Sequence, residues 1–207
     1  MNEKFVINIG RQLGSGGRLI GEKLAAQLHI DFFDKELIQI ASKESGLGKE
    51  FFEKVDERAS HSLIGGLLGF RTNISSEVYG KNYLCNETFF EIQSNVIREL
   101  AEEKSCLFVG RCADYILREN PRCLNVFISA NIEDRIKRVA QDQQLSTEKA
   151  EEVIEKTDKK RSEYYNYYSN KVWGAAGSYH LCINSSVLGI DETVTFIRKF
   201  IEQKLEL

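Results

Sequence analysis

A short glycine-rich segment, Gly14–Arg18, constrains the fold of this chain more than any other feature. It follows the apolar run Phe5–Ile9, which has the length of a buried strand, and it precedes a stretch with helically spaced apolar residues. A strand, a glycine-rich turn and a helix in this order form an anion site, because the turn N–H groups and the helix N-terminus both present positive charge. Such glycines also occur in ordinary structural turns, but their position between strand and helix favours phosphate binding.

The segment departs from the regular phosphate-binding loop, G-x-x-x-x-G-K-[ST], in which Lys contacts the phosphates and Ser or Thr contacts magnesium. Aligned on its glycines, the chain has Arg11 at the first Gly position, Gly17 at the Lys position and Arg18 at the Ser/Thr position. Arg18 is therefore predicted to supply the charge that Lys normally brings. An arginine is always protonated and can grip two phosphate oxygens, but this one lies one position later and must bend back.

The alternation of strand-like and helix-like segments predicts a single α/β domain over residues 1–207. The expected architecture is a three-layer α/β/α fold with a five-stranded parallel sheet covered on both faces. The predicted strands are Phe5–Ile9, Ile30–Phe33, Cys106–Gly110, Cys123–Ser129 and His180–Asn184. The predicted helices are Gly17–Leu28, Lys35–Ser45, Lys49–Arg58, Asn86–Lys104, Ala113–Glu119, Ile132–Gln141, Thr147–Asn170 and Asp191–Lys204, with Ser146 and Asp191 as N-caps.

Two segments interrupt this alternation. Residues 59–83 contain the apolar, glycine-rich stretch Ile64–Phe70, which fits either a mobile flap over a site or a subunit contact. Residues 147–170 carry many charges and then a run of tyrosines, a composition that alone is typical of a solvated helix face.

Charge, hydropathy and cysteine usage exclude several classes of protein. The formal net charge of −3 argues against a nucleic acid polymer as partner, and no apolar run is long enough to cross a membrane. The polar first residues predict no signal peptide. The 5 cysteines are scattered without a C-x-x-C pair, which indicates a reducing cytoplasm and no disulfide or zinc framework. We therefore expect a cytoplasmic protein with no membrane partner, for which a homo-oligomer stays open.

Several segments, in the expected order, resemble the cytidylate-kinase-like branch of the P-loop nucleoside monophosphate kinases. The resemblance covers nearly the whole chain: the variant loop Arg11–Arg18, the acceptor-side strand and Asp of Phe32–Ile38, the Gly-Arg-x-x-Asp turn in Val109–Asp114, the strand and arginine-bearing helix of Val126–Arg138, the lid of Asp158–Tyr165, and the tail residues Trp173–Gly174 and Tyr179–Ser185. It implies a P-loop NTPase fold of the nucleoside monophosphate kinase type. Residues 142–175 would then be a lid-like helical segment, and residues 59–83 a flap or an acceptor-side insertion.

The same resemblance implies transfer of the terminal phosphoryl group of ATP to a nucleoside monophosphate, CMP or dCMP-like, so that the partners are small-molecule nucleotides. The residues implied to bind the donor phosphates are Gly14, Ser15, Gly16, Gly17, Arg18 and Arg135. The catalytic charge would come from Arg18, Arg138 and Arg161, the last two closing over the phosphates. The implied cofactor Mg2+ would be held by phosphates and water, with Ser15 as the only candidate for a direct protein contact.

The acceptor site is implied to contain Asp34, Arg111 and Asp158. Arg111 follows a strand at the carboxyl edge of the sheet, where ligands of open α/β folds bind; the alternative is a surface salt bridge with Asp114. Asp34, at the same edge, could hold the acceptor base or ribose or a metal-bound water, or cap the helix after it. Asp158 and Arg161 lie one helical turn apart and could merely pair, although an exposed pair contributes only about 0.3–0.5 kcal/mol.

Two other functions remain open at this stage. Lys35–Leu37 stands where cytidylate kinases carry a small Thr/Ser-Gly-Ala sequence, so a kinase of the same fold with another small acceptor is an alternative. The loss of the loop Lys and Ser/Thr also suits a nucleotide-binding protein with little catalysis. Turnover of monophosphates separates the first reading from both others.

Overall fold

The computed structural model describes residues 4–35, residue 38 and residues 83–206, with the side chains of the last range described from residue 87. The chain divides into two compact units, one of Met1–Lys35 with Leu100–Leu207 and one of Glu36–Glu99. Apart from Lys35, Ile38 and Tyr83, the predicted helices Lys35–Ser45 and Lys49–Arg58 and the predicted flap at 59–83 lie outside the described residues.

A parallel sheet of five strands forms the centre of the first unit. Its strands are β1 (Val6–Arg11), β2 (Asp31–Phe33), β3 (Cys106–Val109), β4 (Cys123–Ser129) and β5 (Leu181–Asn184), in the order β2-β3-β1-β4-β5. All neighbouring pairs are parallel. The predicted α/β fold with a five-stranded parallel sheet is thereby confirmed, and the strand ends lie close to those expected.

The central strand β1 explains why the site forms where it does. Ile7 and Asn8, which as neighbours in a strand point to opposite faces of the sheet, are 0% and 3% exposed, as expected for a parallel strand covered on both faces. Ile9 pairs with Val109 of β3 and with Val126 of β4, so the carboxyl ends of the three strands share one edge of the sheet. The glycine-rich loop leaves β1 at this edge.

The helices, numbered in order among the described residues, mostly match their predicted bounds. They are α1 (Gly17–Leu28), α2 (Tyr83–Glu103), α3 (Ala113–Ile116), α4 (Ile132–Gln143), α5 (Thr147–Ser169) and α6 (Ser185–Leu205), with a 3-10 turn at Ala176–Ser178. Helix α3 is shorter than predicted because Leu117 leaves the helical conformation. The predicted cap at Ser146 is confirmed, since its side chain accepts a hydrogen bond from the Lys149 N–H.

The predicted last helix, Asp191–Lys204, matches the second of two helical segments that Gly189 separates within Ser185–Leu205. Helix α6 begins at Ser185 instead of Asp191, and its N-cap is Asn184, whose side chain accepts a 2.9 Å hydrogen bond from the Ser186 N–H. Gly189, with φ 76° and ψ 175°, interrupts the helix, which explains why the helical pattern of the sequence begins only after it. Asp191 lies in the first turn after Gly189, and its carboxylate pairs with Lys23 of α1 instead of capping the helix.

Two apolar clusters can be described among the residues that the structure covers. The larger one joins β1, β3 and β4 to helices α1 and α6, through residues such as Ile20, Leu24, Ile197 and Ile201, all 0% exposed. Burying one such side chain contributes about 1.5–3 kcal/mol. The smaller cluster joins α4 to α5 through Val139, Ala150 and Ile154, with Leu13 of the loop packed against it. The helix pair α4–α5 is therefore packed onto the loop.

None of the helices in the described part of the chain combines the length and apolar character that crossing a membrane would require.

Candidate functional site

The glycines of the loop hold conformations that other residues adopt only with strain. Gly14 and Gly16 both have a φ of 75°, in the left-handed region. A Cβ on Gly14 would lie 2.7 Å from the backbone oxygen of Arg135, and a Cβ on Gly16 would overlap the Ile190 side chain. The loop path therefore depends on glycine at both positions.

This path leaves a group of donors at the start of α1. Among the described residues, none accepts a hydrogen bond from the backbone N–H of Gly14, Gly16 or Gly17. The first turn of α1 carries no acidic residue, and its N-cap makes no side-chain hydrogen bond. Unpaired N–H groups and the positive end of the helix dipole together favour an anion at this point.

Ser15 supports the loop from within. Its side chain is 0% exposed, and its hydroxyl donates a 2.8 Å hydrogen bond to the Gln12 carbonyl. Its own carbonyl accepts a 2.7 Å bond from the Ser185 hydroxyl of α6. The buried hydroxyl does not fit the predicted contact with Mg2+, and the described residues contain no cluster of three or more His, Cys, Asp or Glu suited to a metal ion.

Arg135 and Asp158 clamp the loop at Leu13. One carboxylate oxygen of Asp158 accepts a 2.8 Å hydrogen bond from the Leu13 N–H, and the other pairs with Arg135 Nη2. Arg135 Nε donates to the Leu13 carbonyl at 2.7 Å. The two side chains are only 8% and 15% exposed. The sequence predicted a phosphate contact for Arg135 and an acceptor contact for Asp158, whereas both are engaged here by the loop backbone and by each other.

Arg138 of α4 and Arg161 of α5 also contact the loop. Arg138 Nη1 donates to the Gly14 carbonyl at 2.8 Å, and Arg161 Nη1 donates to the Arg11 carbonyl at 3.1 Å. Arg161 Nη1 also lies 3.7 Å from Asp158 Oδ1, so the ion pair that helical spacing allowed is present. Burial lowers the pKa of the Arg161 guanidinium. Each guanidinium has five donors, so both keep N–H groups for a ligand at the loop.

Arg18 of α1 forms an ion pair with Asp34, the residue directly after β2. Arg18 Nε lies 2.9 Å from Asp34 Oδ2, and Arg18 Nη1 lies 2.9 Å from Oε1 of Glu22, one turn further along α1. The guanidinium also lies 5.7 Å from the centre of the Phe32 ring. The structure thus brings the predicted donor residue Arg18 to the predicted acceptor residue Asp34.

Arg111 lies in the turn after β3, where Gly110, Arg111 and Cys112 all have positive φ. Its guanidinium lies 5.8 Å from the centre of the Tyr164 ring of α5. The alternative pair with Asp114 is not formed among the described residues; Asp114 instead accepts a 2.7 Å hydrogen bond from the Tyr165 hydroxyl. Burial raises the pKa of Asp114, and that hydrogen bond opposes the rise.

Arg11 was missed by the sequence reasoning as a functional residue. It ends β1, and its side chain runs past Gly17 to Gly110 at the end of β3. Burial lowers the pKa of its guanidinium, and the charges of Arg161 and Arg111 lower it further. The available signal was its place at the first glycine of the loop pattern, where a large side chain is unexpected.

Solved structures share this fold. A crystal structure of an uncharacterized protein from Eubacterium ventriosum matches with 28% identity and a TM-score of 0.72, covering 96% of this chain and 99% of that one. Shikimate kinase from Bacteroides thetaiotaomicron matches at 16% identity and a TM-score of 0.52, covering 98% and 99%. Shikimate kinase from Acinetobacter baumannii, in complex with shikimate, matches at 16% identity with a TM-score of 0.52, and the match covers 98% of this chain and 95% of that one. At that identity the likeness to the shikimate kinases shows the fold alone.

The search of curated proteins found no match to this sequence. A model of the cytidylate kinase-like family, in contrast, matches residues 6–187, which include the loop, the arginines of α4 and α5, and β5. The chain therefore belongs to the cytidylate kinase-like family, as its ordered motifs predicted.

Proposed function

We propose that this protein transfers the terminal phosphoryl group of ATP to a nucleoside monophosphate, with CMP or dCMP as the first candidates. Its family and its P-loop kinase fold support phosphotransfer of the kinase type. The observation that carries the proposal is the set of open N–H groups at Gly14, Gly16 and Gly17, which lies against the arginines of α4 and α5. Donors and cations converging on one point suit a polyphosphate.

The donor side would work by positioning and charge neutralisation. The loop N–H groups would bind the donor phosphates, while Arg138 and Arg161 direct their remaining donors at the group in transfer. Arg135 and Asp158 would act as positioning residues, since their contacts hold Leu13 in place. Mg2+ would neutralise phosphate charge, and phosphates and water rather than Ser15 would hold it.

The acceptor side would be built around Asp34, Arg18 and Arg111. Asp34 is 6% exposed and held by Arg18, so its carboxylate has a defined position for the base or ribose of an acceptor. Arg111, beside Tyr164 at the carboxyl edge of the sheet, would bind the acceptor phosphate. In this arrangement Arg18 serves the acceptor side and not the donor phosphates, unlike the role that the loop pattern alone predicted.

A second candidate is a kinase of the same fold that acts on another small acceptor. It is favoured by Lys35–Leu37, which replaces the small residues of cytidylate kinases beside Asp34. A nucleotide-binding protein with little catalysis is the third candidate, because position 17 carries no Lys.

A coupled assay of ADP formation with ATP, Mg2+ and each common nucleoside monophosphate tests the proposal. We expect turnover with at least one pyrimidine monophosphate. Absence of turnover with every monophosphate at millimolar concentration would contradict it. In that case a rise in melting temperature with ATP supports the third candidate, since a ligand at 100 times its Kd stabilises by about 2.7 kcal/mol.

A further inference from the structure

Two unusual residues of the loop lie far apart in the pattern but in contact in the structure. Arg11 stands where the pattern has its first glycine, and Gly17 stands where the pattern has its lysine. A Cβ on Gly17 would lie 2.6 Å from the Arg11 Cβ and 3.0 Å from its Cγ. The stem of Arg11 therefore occupies the space in which a side chain at position 17 would begin.

The guanidinium of Arg11 continues from there to the edge of the sheet. A Cβ on Gly110, which has a φ of 81°, would overlap Arg11 Nη1 and lie 3.3 Å from Cζ. Glycine at both positions makes room for the arginine, at Gly17 for its stem and at Gly110 for its charged end. The guanidinium therefore lies against Gly110, the residue before Arg111 in the turn after β3.

The charges around Arg11 do not balance. Burial and the cations of Arg161 and Arg111 oppose its charge, while Asp34 and Asp158 favour it. Those two carboxylates already engage Arg18 and Arg135 respectively. Among the described residues, the Arg11 guanidinium forms no hydrogen bond or ion pair of its own. A partly buried cation beside two other cations is costly unless an anion joins them.

We propose that Arg11 replaces the missing loop lysine, so that its guanidinium binds the terminal phosphate of a nucleoside triphosphate. Position 17 is then glycine because Arg11 enters the phosphate site through the space of that side chain. The cation therefore comes from position 11, the first position of the loop pattern, and not from position 17, where the pattern has its lysine. This inference rests on the proposed function only in that a nucleoside triphosphate is the donor.

A reciprocal exchange tests the inference in the full-length protein. Arg11→Met should raise the Kd for ATP by about 10- to 100-fold, as the loss of a charge-assisted hydrogen bond requires. Arg11→Gly should do the same, and Gly17→Lys alone should lower the melting temperature because its side chain overlaps Arg11. The double variant R11G/G17K should recover ATP affinity to within about 10-fold of wild type, because a loop lysine then has its usual space.

The readouts are the Kd by titration calorimetry and the melting temperature of the unliganded protein. The control is Arg198→Met, an exposed arginine of α6 paired with Glu202. An R11M Kd equal to that of R198M overturns the inference, as does a double variant that binds ATP no better than R11G. If R11M fails to fold, the double variant decides alone.

Tripolyphosphate, which lacks a nucleoside, separates this inference from the proposed function. If wild type binds tripolyphosphate more tightly than R11M does but turns over no monophosphate, the inference stands and the proposed function is rejected. Wild type that binds neither ATP nor tripolyphosphate would reject both. Turnover with an R11M variant of unchanged ATP affinity would keep the function and reject the inference.

Discussion

The two sides of the phosphate loop use their charged side chains in different ways. On the α4–α5 side, Arg135, Arg138, Asp158 and Arg161 all bond to the backbone of the loop. On the β2–β3 side, Arg18 and Asp34 bond to side chains, and Arg111 lies over an aromatic ring. The first side therefore shapes the loop before any ligand arrives. The printed contacts of the second side are between side chains and do not involve the loop backbone.

Burial separates Arg18 from the Arg135–Asp158 pair. The Arg135–Asp158 pair is 8% and 15% exposed, whereas Arg18 is 57% exposed. A buried pair that loses one partner leaves an uncompensated charge, while an exposed pair is screened by water. Substitutions of the Arg135–Asp158 pair should therefore affect stability strongly, and a substitution of Arg18 should affect stability little.

The largest effect is expected at Arg138. Arg138→Met should lower kcat for phosphoryl transfer by about 10³-fold, the lower end of what a charge-neutralising arginine supplies in related chemistry. Stability should change far less, because the variant loses only one hydrogen bond to Gly14. Steady-state kinetics with a matched variant of an exposed neighbour on α4, Lys137→Met, checks this. Equal loss of kcat in both variants would contradict the role of Arg138.

Asp158 should have the next largest effect. Asp158→Asn should lower the free energy of unfolding by about 3 kcal/mol, because Arg135 keeps its charge in a buried place without a carboxylate. Urea unfolding measures this, with Asp142→Asn, an exposed change on α4, as the control. A loss below about 1 kcal/mol would mean that the pair behaves like one on the surface.

Gly14 tests the loop conformation itself. Gly14→Ala should cost about 2 kcal/mol of stability, since a left-handed φ is unfavourable for alanine and its Cβ would meet the Arg135 backbone. Gly177→Ala is the matched control, because a Cβ there meets nothing within 4 Å. Urea unfolding of both variants gives the comparison. If the two variants are equally stable, the loop does not depend on glycine at position 14.

Arg18 should have the smallest effect. Arg18→Met should change the free energy of unfolding by about 0.5 kcal/mol, because its pairs with Glu22 and Asp34 are formed by an exposed side chain. Its Kd for ATP should equal that of Lys23→Met on the same helix, while the KM for the acceptor should rise. A tenfold loss of ATP affinity would instead place Arg18 on the donor phosphates, as the loop pattern predicted.

Much of the fold could be predicted because its signals are local. Parallel strands buried on both faces are near-continuous apolar runs, and the bounds of α1 follow from helical spacing after the loop glycines. The start of α6 could not be predicted in this way. Its first turn depends on a cap at Asn184 and on a break at Gly189, which disturb the period on which the prediction relied.

The candidate site could likewise be predicted only in part from the sequence. Membership in a phosphate-binding family follows from the order of the motifs, and so does the set of arginines near the loop. Their partners do not follow, because contacts such as Leu13 to Asp158 span 145 positions of the chain. Helix spacing showed that Asp158 and Arg161 could meet, but it carried no information about the loop backbone beside them.

The sequence by itself determined that a strand, a glycine-rich loop and a helix would follow one another in this order. That arrangement is local, and glycine with its position before a helix suffices to produce it. Only the tertiary structure decided where the two arginines of the loop lie. Arg18 is held at Asp34, while Arg11 lies beside Gly17 and Gly110, because adjacent parallel strands bring distant chain segments to one edge of the sheet.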